Sequence, residues 1–386
     1  MNVLINAITI TEGGGVVVLS RLLEFMQIEN SNIIWYVVAG PKVLSCLPVS
    51  HKIIGIPYSW PRKSPLHLLY WYEIELPKLV HRVNANLCFS QTNFLSRRRL
   101  ACPSLLLFHN AGFFSDFFTQ LQLKCYPSFK DAFLWNQKKT WAYSSLKRAT
   151  AITVQTNALA EKIVKHLKIN QKKIFTVPHG LGLLNQVRLK IRSFPKDSCW
   201  RIGYITKFGV QKDFDTAIKA ISQLKKVGLN IKLVLTLDSK IREYQSILKQ
   251  IKYHGINDIV ENLGDITDPI KLKNTYESLH LFIFPSVIES FGFTLLEAMA
   301  SGLPIIAADT DSNREVAGTA GHFFSLGDEK SLANNIIRFM NDRCLYVCSS
   351  RNSLNRAQDF CWNKTANSLL YIMQELTTLK DFLISD

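Results

Sequence analysis

The chain has 386 residues, of which 47% are hydrophobic, 20% charged and 11% aromatic, a balance that excludes a disordered or low-complexity protein. At about 100–200 residues per domain it is long enough for two domains, and no apolar run reaches the roughly 18–20 residues of a membrane-spanning helix. The net charge of +16 is uneven: residues 1–180 hold 21 Lys and Arg against 8 Asp and Glu, residues 181–386 hold 25 against 22. A basic first half suits an anionic partner such as a membrane surface, a phosphorylated lipid or nucleic acid.

The first residues, MNVLIN, lack the basic start and long apolar stretch of a secretory signal and read as a first strand. Further apolar runs at 3–10, 33–39, 87–90, 104–109, 151–156 and 174–178 predict strands, with helices at 16–27, 66–83 and 157–167 between them. The stretch 179–199 carries Gly180, Gly182, Pro195 and Lys196 and is the natural domain boundary. Beyond it, strands are predicted at 201–205, 231–236, 259–263, 281–284 and 304–307, with helices at 213–227, 239–254, 269–278 and 294–301. This alternation predicts an α/β protein with two doubly wound parallel sheets. The expected domains are 1–182 and 183–365. A C-terminal helix over 366–386 has apolar residues at 369, 372, 373 and 376 on one face, suited to packing back towards the first domain. Eight cysteines lie scattered, with no C-x-x-C pair, and read as reduced, buried thiols of a cytosolic protein.

Three segments carry chemistry. The most specific runs from Pro285 to Pro304, PSVIESFGFTLLEAMASGLP. It follows an apolar strand, turns through Gly292 and opens a helix that Gly302 and Pro304 stop. Ligands of open α/β sheets bind at such a place. The N–H groups around Ser290, Phe291, Gly292, Phe293 and Thr294 would sit at a helix start suited to phosphate. Glu289 and Glu297 bracket that start, and each carboxylate can accept paired hydroxyl hydrogen bonds, one from a ribose and one from a donor hexose. In the second segment, 203–215, Lys207 and Lys212 lie between a strand and a helix, where cations can stabilise a departing diphosphate. The third, Gly13-Gly14-Gly15 after the first strand, allows close backbone approach to a ligand. It is neither a dinucleotide fingerprint nor a Walker loop.

Together these segments resemble the retaining glycosyltransferases of family 4, whose GT-B fold has two Rossmann-like domains facing each other across a deep cleft. Glu289 and Glu297 match the family's E-x7-E element. Lys207 stands where members commonly have Arg, a loss of the bidentate guanidinium fork, and Lys212 matches the family's Lys. Asp213 replaces the following Gly and is expected to bring a negative charge near the phosphates. His179 stands for the Asn of a Pro-Asn-Gly turn, and His109-Asn110 resembles the family's strand-end His motif. The resemblance implies transfer of a sugar from a nucleoside diphosphate, GDP- or UDP-linked, to a hydroxyl, with retention. It assigns Glu289, Lys207, Lys212 and His109 to catalysis and Gly13–15, 290–294 and Glu297 to the donor. It also implies no metal and no cofactor; Asp213-Phe-Asp215 and Asp309-Thr-Asp311 read as structural.

Aromatic residues interleave with cations at Trp60–Lys63, Trp71-Tyr72, Arg97–Arg99, Phe113-Phe114, Phe117-Phe118 and Lys138–Trp141. They suit an anionic membrane surface, about half of them being expected in the core instead. Related enzymes act on lipid-linked acceptors, so a cytoplasmic protein on the inner face of the membrane is expected, working in lipopolysaccharide, O-antigen or capsule synthesis. The alternatives are a sugar-nucleotide epimerase or a phosphorylase of the same fold and a non-catalytic basic binding protein; no nucleic-acid recognition motif is present.

Overall fold

The structure is a computed structural model and describes residues 1–29, 32–184, 188, 190–196 and 199–383. It divides into two compact units. One contains Met1–Phe114, Tyr126–Gly180 and the chain from Cys361 onward; the other contains Ser115–Cys125 and Leu181–Phe360. Part of the boundary stretch, and the last three residues expected in the C-terminal helix, lie outside the described residues. The helix Asp116–Cys125 groups with the second unit although it comes from the first half of the sequence, packing on the turn Val210–Lys212.

The first unit is built on strands β1 (Asn2–Asn6), β2 (Ile34–Ala39), β3 (Ile53–Pro57), β4 (Leu87–Ser90), β5 (Ser104–Leu107), β6 (Ala151–Val154) and β7 (Ile174–Thr176). They form a parallel sheet in the order β3-β2-β1-β4-β5-β6-β7. The second holds β8 (Trp200–Tyr204), β9 (Ile231–Leu235), β10 (Val260–Asn262), β11 (Leu281–Phe284), β12 (Ile305–Ala308) and β13 (Gly321–Phe324). Its order is β10-β9-β8-β11-β12-β13, again parallel. Central strands are buried on both faces, as in β4, β5, β11 and β12, which is why they read as unbroken apolar runs. The strand order of each sheet reverses once, between β1 and β4 and between β8 and β11. At such switch points the loops leaving the carboxyl ends diverge and open a crevice.

Several elements carried no sequence signal. The edge strand β3, Ile-Ile-Gly-Ile-Pro, is largely exposed and interrupted by glycine. The helix Phe129–Arg148 buries only Ala142, Ser145 and Leu146. The helix Arg343–Ala357 packs with Ser349, Ser350 and Ser353 beside Tyr346 and Leu354, a small and polar face with no hydrophobic period. The predicted helix 66–83 is three consecutive segments, with a π turn at Trp71–Glu75. Only Cys88 and Cys102 are buried; Cys46, Cys125, Cys344 and Cys348 are exposed, against the buried thiols expected. No helix among the described residues is long and apolar enough to cross a membrane.

The C-terminal helix Trp362–Leu383 buries Leu369, Leu370, Ile372, Met373 and Leu376 and packs on the helix Gly14–Glu29 of the first unit. Its start clamps the turn before it: Thr365 Oγ1 donates to the Pro178 carbonyl at 2.7 Å, and the His179 ring stacks on Trp362 at 5.5 Å. His179 is 4% exposed, and burial pushes its pKa down to about 3. The unfolded chain therefore binds an extra proton between pH 6.5 and 3, so stability falls as pH drops through that window. This site alone is expected to remove about 2 kcal/mol at pH 5. His179→Asn should abolish that share, which shows as a smaller loss of Tm between pH 7 and pH 5 than in the unaltered chain.

Candidate active site

In the second unit the loops after β8 and β11 meet at the switch point. The β8 loop forms a short turn, Val210–Lys212, stitched to the β11 loop by the Val287 N–H donating to the Gln211 carbonyl at 2.9 Å. Lys212 is fixed at both backbone ends: its N–H donates to the Gly209 carbonyl at 2.9 Å, and its carbonyl accepts from the Tyr204 hydroxyl. Tyr204 is fully buried, and burial holds its hydroxyl well above the usual range, so it stays a donor. From this anchor Lys212 Nζ donates to Glu289 Oε1 at 2.5 Å and lies 5.3 Å from the centre of the Phe284 ring. Both side chains of the pair are only 13% exposed.

The helix Phe293–Ala300 starts directly after Gly292, whose φ of +89° is the left-handed conformation that favours glycine. Its end follows the expected stop: the Gly302 and Leu303 N–H groups bond the Met299 and Ala298 carbonyls, a Schellman closure. Residues 290–294 thus surround a helix N-terminus at the carboxyl edge of the sheet. Asp213 does not point a free charge at this place. Its backbone φ is +29°, and its carboxylate caps the following helix, accepting from Thr216 N and Thr216 Oγ1 at 3.2 and 2.6 Å.

The two lysines are not equivalent. Lys207 pairs with Asp265 at 3.0 Å and is 54% exposed, whereas Lys212 is enclosed. The two glutamates differ as well. Glu297 is 3% exposed; its Oε1 accepts from the Leu183 N–H at 2.7 Å and its Oε2 from the Tyr276 hydroxyl at 3.1 Å. Burial pushes its pKa up to about 7 against the pull of those donors. A side chain on Gly182 would collide with this carboxylate. Glu297 therefore holds the segment after the unit boundary, its carboxylate enclosed by those donors. Of the Asp-x-Asp residues, Asp309 pairs with Arg314 and Asp215 with Lys219.

In the first unit Gly13 (φ +67°), Gly14 and Gly15 follow β1, the helix beginning at Gly14. His109 follows β5 and is exposed. A residue the sequence reading missed, Asn93, stands beyond β4 and bonds His109 twice. The polar run Gln91-Thr92-Asn93 at the end of a buried strand was its only signal. Beneath it Tyr72, Thr92, Ser90 and Asn6 form a buried hydrogen-bonded chain. Of the aromatic–cation segments, Trp71, Tyr72 and Phe113 are core residues and Phe117 is 52% exposed.

Residues 200–342 match the family described as glycosyl transferases group 1. The chain is 29% identical over 139 residues to a lipopolysaccharide core biosynthesis mannosyltransferase, LpsB, of Rhizobium meliloti, covering 34% of this chain and 39% of that protein. It is 24% identical over 265 residues to the capsular polysaccharide biosynthesis glycosyltransferase CapM of Staphylococcus aureus, covering 65% and 66%. The matches thus span about a third to two thirds of the length of these relatives. The crystal structure of Anabaena HepE in complex with UDP and glucose superposes with a TM-score of 0.71 at 16% identity, covering 97% of this chain and all of that one. The two doubly wound units are those of the GT-B fold, and the resemblance to glycosyltransferase family 4 holds over the matched domain.

Proposed function

We propose that this chain, which carries a glycosyl transferases group 1 domain over residues 200–342, is a nucleotide-sugar-dependent hexosyltransferase. It would transfer the sugar with retention to a hydroxyl of a glycan or lipid-linked acceptor, in the assembly of lipopolysaccharide, O-antigen or capsule. The carrying observation is the enclosed Lys212–Glu289 pair at the β8–β11 switch point, beside a helix N-terminus. The names of the relatives, which make bacterial surface polysaccharide, support the biosynthetic setting.

In this reading the GDP- or UDP-linked donor sits in the second unit, and no metal or cofactor takes part. Its diphosphate lies against the first-turn N–H groups of the helix at Phe293 and the ammonium of Lys212. The bond from the anomeric carbon to the diphosphate oxygen breaks through an oxocarbenium-like transition state, and Lys212 stabilises the charge that develops on the leaving group. The acceptor oxygen bonds the same face of the anomeric carbon, and its proton passes to an oxygen of the departing nucleoside diphosphate. Glu289 orients a sugar hydroxyl as acceptor, and Lys207 adds an outer, screened charge. Glu297 meets a ribose only through lone pairs left over from holding Leu183 and Tyr276. In the first unit the Gly13–15 loop and His109 are the residues proposed to contact sugar hydroxyls. A thermal-shift panel of GDP-, UDP- and dTDP-sugars tests the reading, since a bound donor raises Tm by mass action. No shift with any of them contradicts it.

We also propose that the first unit rests on the inner face of the cytoplasmic membrane. The start of the helix Phe129–Arg148 supports this: Phe129 is 88% exposed and Phe133 53%, with Lys130 and Lys138 exposed beside them, a mixture that suits an anionic interface. Co-sedimentation with vesicles is expected to rise with anionic lipid and fall with salt. Sedimentation indifferent to both counts against it.

A further inference from the structure

Asn93 lies in the loop after β4, on one side of the switch point of the first sheet, and His109 lies in the loop after the neighbouring β5. The His109 backbone N–H meets the Asn93 side chain at 2.7 Å. An N–H can only donate, so the Asn93 atom facing it is Oδ1, and the amide cannot be turned the other way. Its Nδ2 then faces His109 Nε2 at 3.1 Å. Nδ2 carries only hydrogens to offer, so Nε2 must accept, and in the neutral ring the proton belongs to Nδ1. No hydrogen bond to Nδ1 is seen among the described residues, so Nδ1–H is the ring's unengaged donor.

We propose that Asn93 is the positioning residue of His109: it locks the imidazole as the Nδ1–H tautomer, so that the ring serves a bound sugar as a hydrogen-bond donor and not as a proton acceptor. The sugar contact rests on the function proposed above; the tautomer does not. Two features of the chain fit a dedicated clamp. Asn93 adopts φ +66°, a left-handed conformation that Asn tolerates better than most residues. It is also nearly buried, at 8% exposure, over the hydrogen-bonded Thr92–Ser90 pair. A protonated ring would set Nε2–H against the Nδ2 hydrogens, so the clamp also opposes imidazolium. Among the described residues His179, buried and held neutral by that burial, is a titratable group that acts electrostatically on the ring.

The test is a long-range proton–nitrogen correlation spectrum of the chain labelled at its imidazole nitrogens, with His109 assigned by His109→Gln. At neutral pH the wild-type ring is expected to show a pyrrole-type Nδ1 and a pyridine-type Nε2. Asn93→Asp keeps the acceptor for the His109 N–H and tolerates the same φ, but replaces the donor at Nε2 by an acceptor. That variant is expected to move the proton to Nε2 and to raise the ring's pKa by about 1–3 units. It should also lower kcat/KM for sugar transfer by about 5–30-fold, the loss of one hydrogen bond. A pyrrole-type Nε2 in the wild type, which does not depend on Asn93→Asp folding, overturns the proposal. So does an unchanged tautomer in Asn93→Asp. A tautomer that flips while transfer stays at the wild-type rate overturns the donor role of His109 but leaves the clamp. A chain with no transferase activity at all leaves the spectrum to decide the clamp alone.

Discussion

Replacing Lys212 with alanine is expected to lower kcat for sugar transfer by about 10²–10³-fold, the usual loss when one preorganised stabiliser of a developing anion is removed. The size of the effect follows from how firmly the ammonium is held. Tyr204 and Gly209 fix the backbone of Lys212 from both sides, and Glu289 and the Phe284 ring fix its head. Lys207→Ala should cost less than about tenfold, because a half-exposed lysine already paired with Asp265 is screened by water. Steady-state kinetics of the two variants, with far-UV spectra to show that both fold, give the comparison. Equal losses would mean that the two lysines share the charge evenly, against the geometry.

Arg192→Leu is expected to be among the most destabilising single substitutions in the second unit, at about 3–5 kcal/mol. Arg192 is 7% exposed. Its guanidinium donates to the carbonyls of Leu279, Tyr276, Ser301 and Glu277 at 2.6, 2.8, 2.8 and 3.2 Å. These oxygens end the helices Pro269–Ser278 and Phe293–Ala300, where carbonyls lack helical partners and the dipole favours a cation. Burial pushes its pKa down to about 10, which leaves it charged at neutral pH. Leucine would fill the space but remove the donor from four carbonyls, of which the Tyr276 oxygen keeps another partner, the Leu279 N–H. In a unit of this size Tm should fall by roughly 6–20 °C, measurable by calorimetry. Arg192→Lys should recover part of it, an ammonium having three donors and no planar fork. A shift under about 2 °C for the leucine variant would show that water satisfies those carbonyls.

The loops that make the candidate site were legible where their conformation is local. Gly292, Gly302 and Pro304 dictate a helix start and stop within their own neighbourhood, and the strand before them is a plain apolar run. What the sequence left hidden depends on partners distant in the chain. Lys207 and Lys212 look alike until Asp265, 58 positions from the first, and Glu289, 77 positions from the second, arrive beside them. Glu297 sits at its expected spacing, yet its enclosure is set by Leu183 and Tyr276, 114 and 21 residues away. Asn93 reaches His109 only because β4 and β5 are neighbours in the sheet. Asp213 has a further role beyond that of a nearby charge: an Asp before a helix caps it.

The most direct test is calorimetric titration of the nucleoside-diphosphate sugar that stabilises the chain into the wild type, Lys212→Ala and Lys207→Ala. Saturable binding to the wild type, at least tenfold weaker in Lys212→Ala and within a few-fold in Lys207→Ala, is the predicted result. Wild-type and Lys212→Ala chains that bind the donor equally well would contradict a diphosphate seat at the β8–β11 switch point.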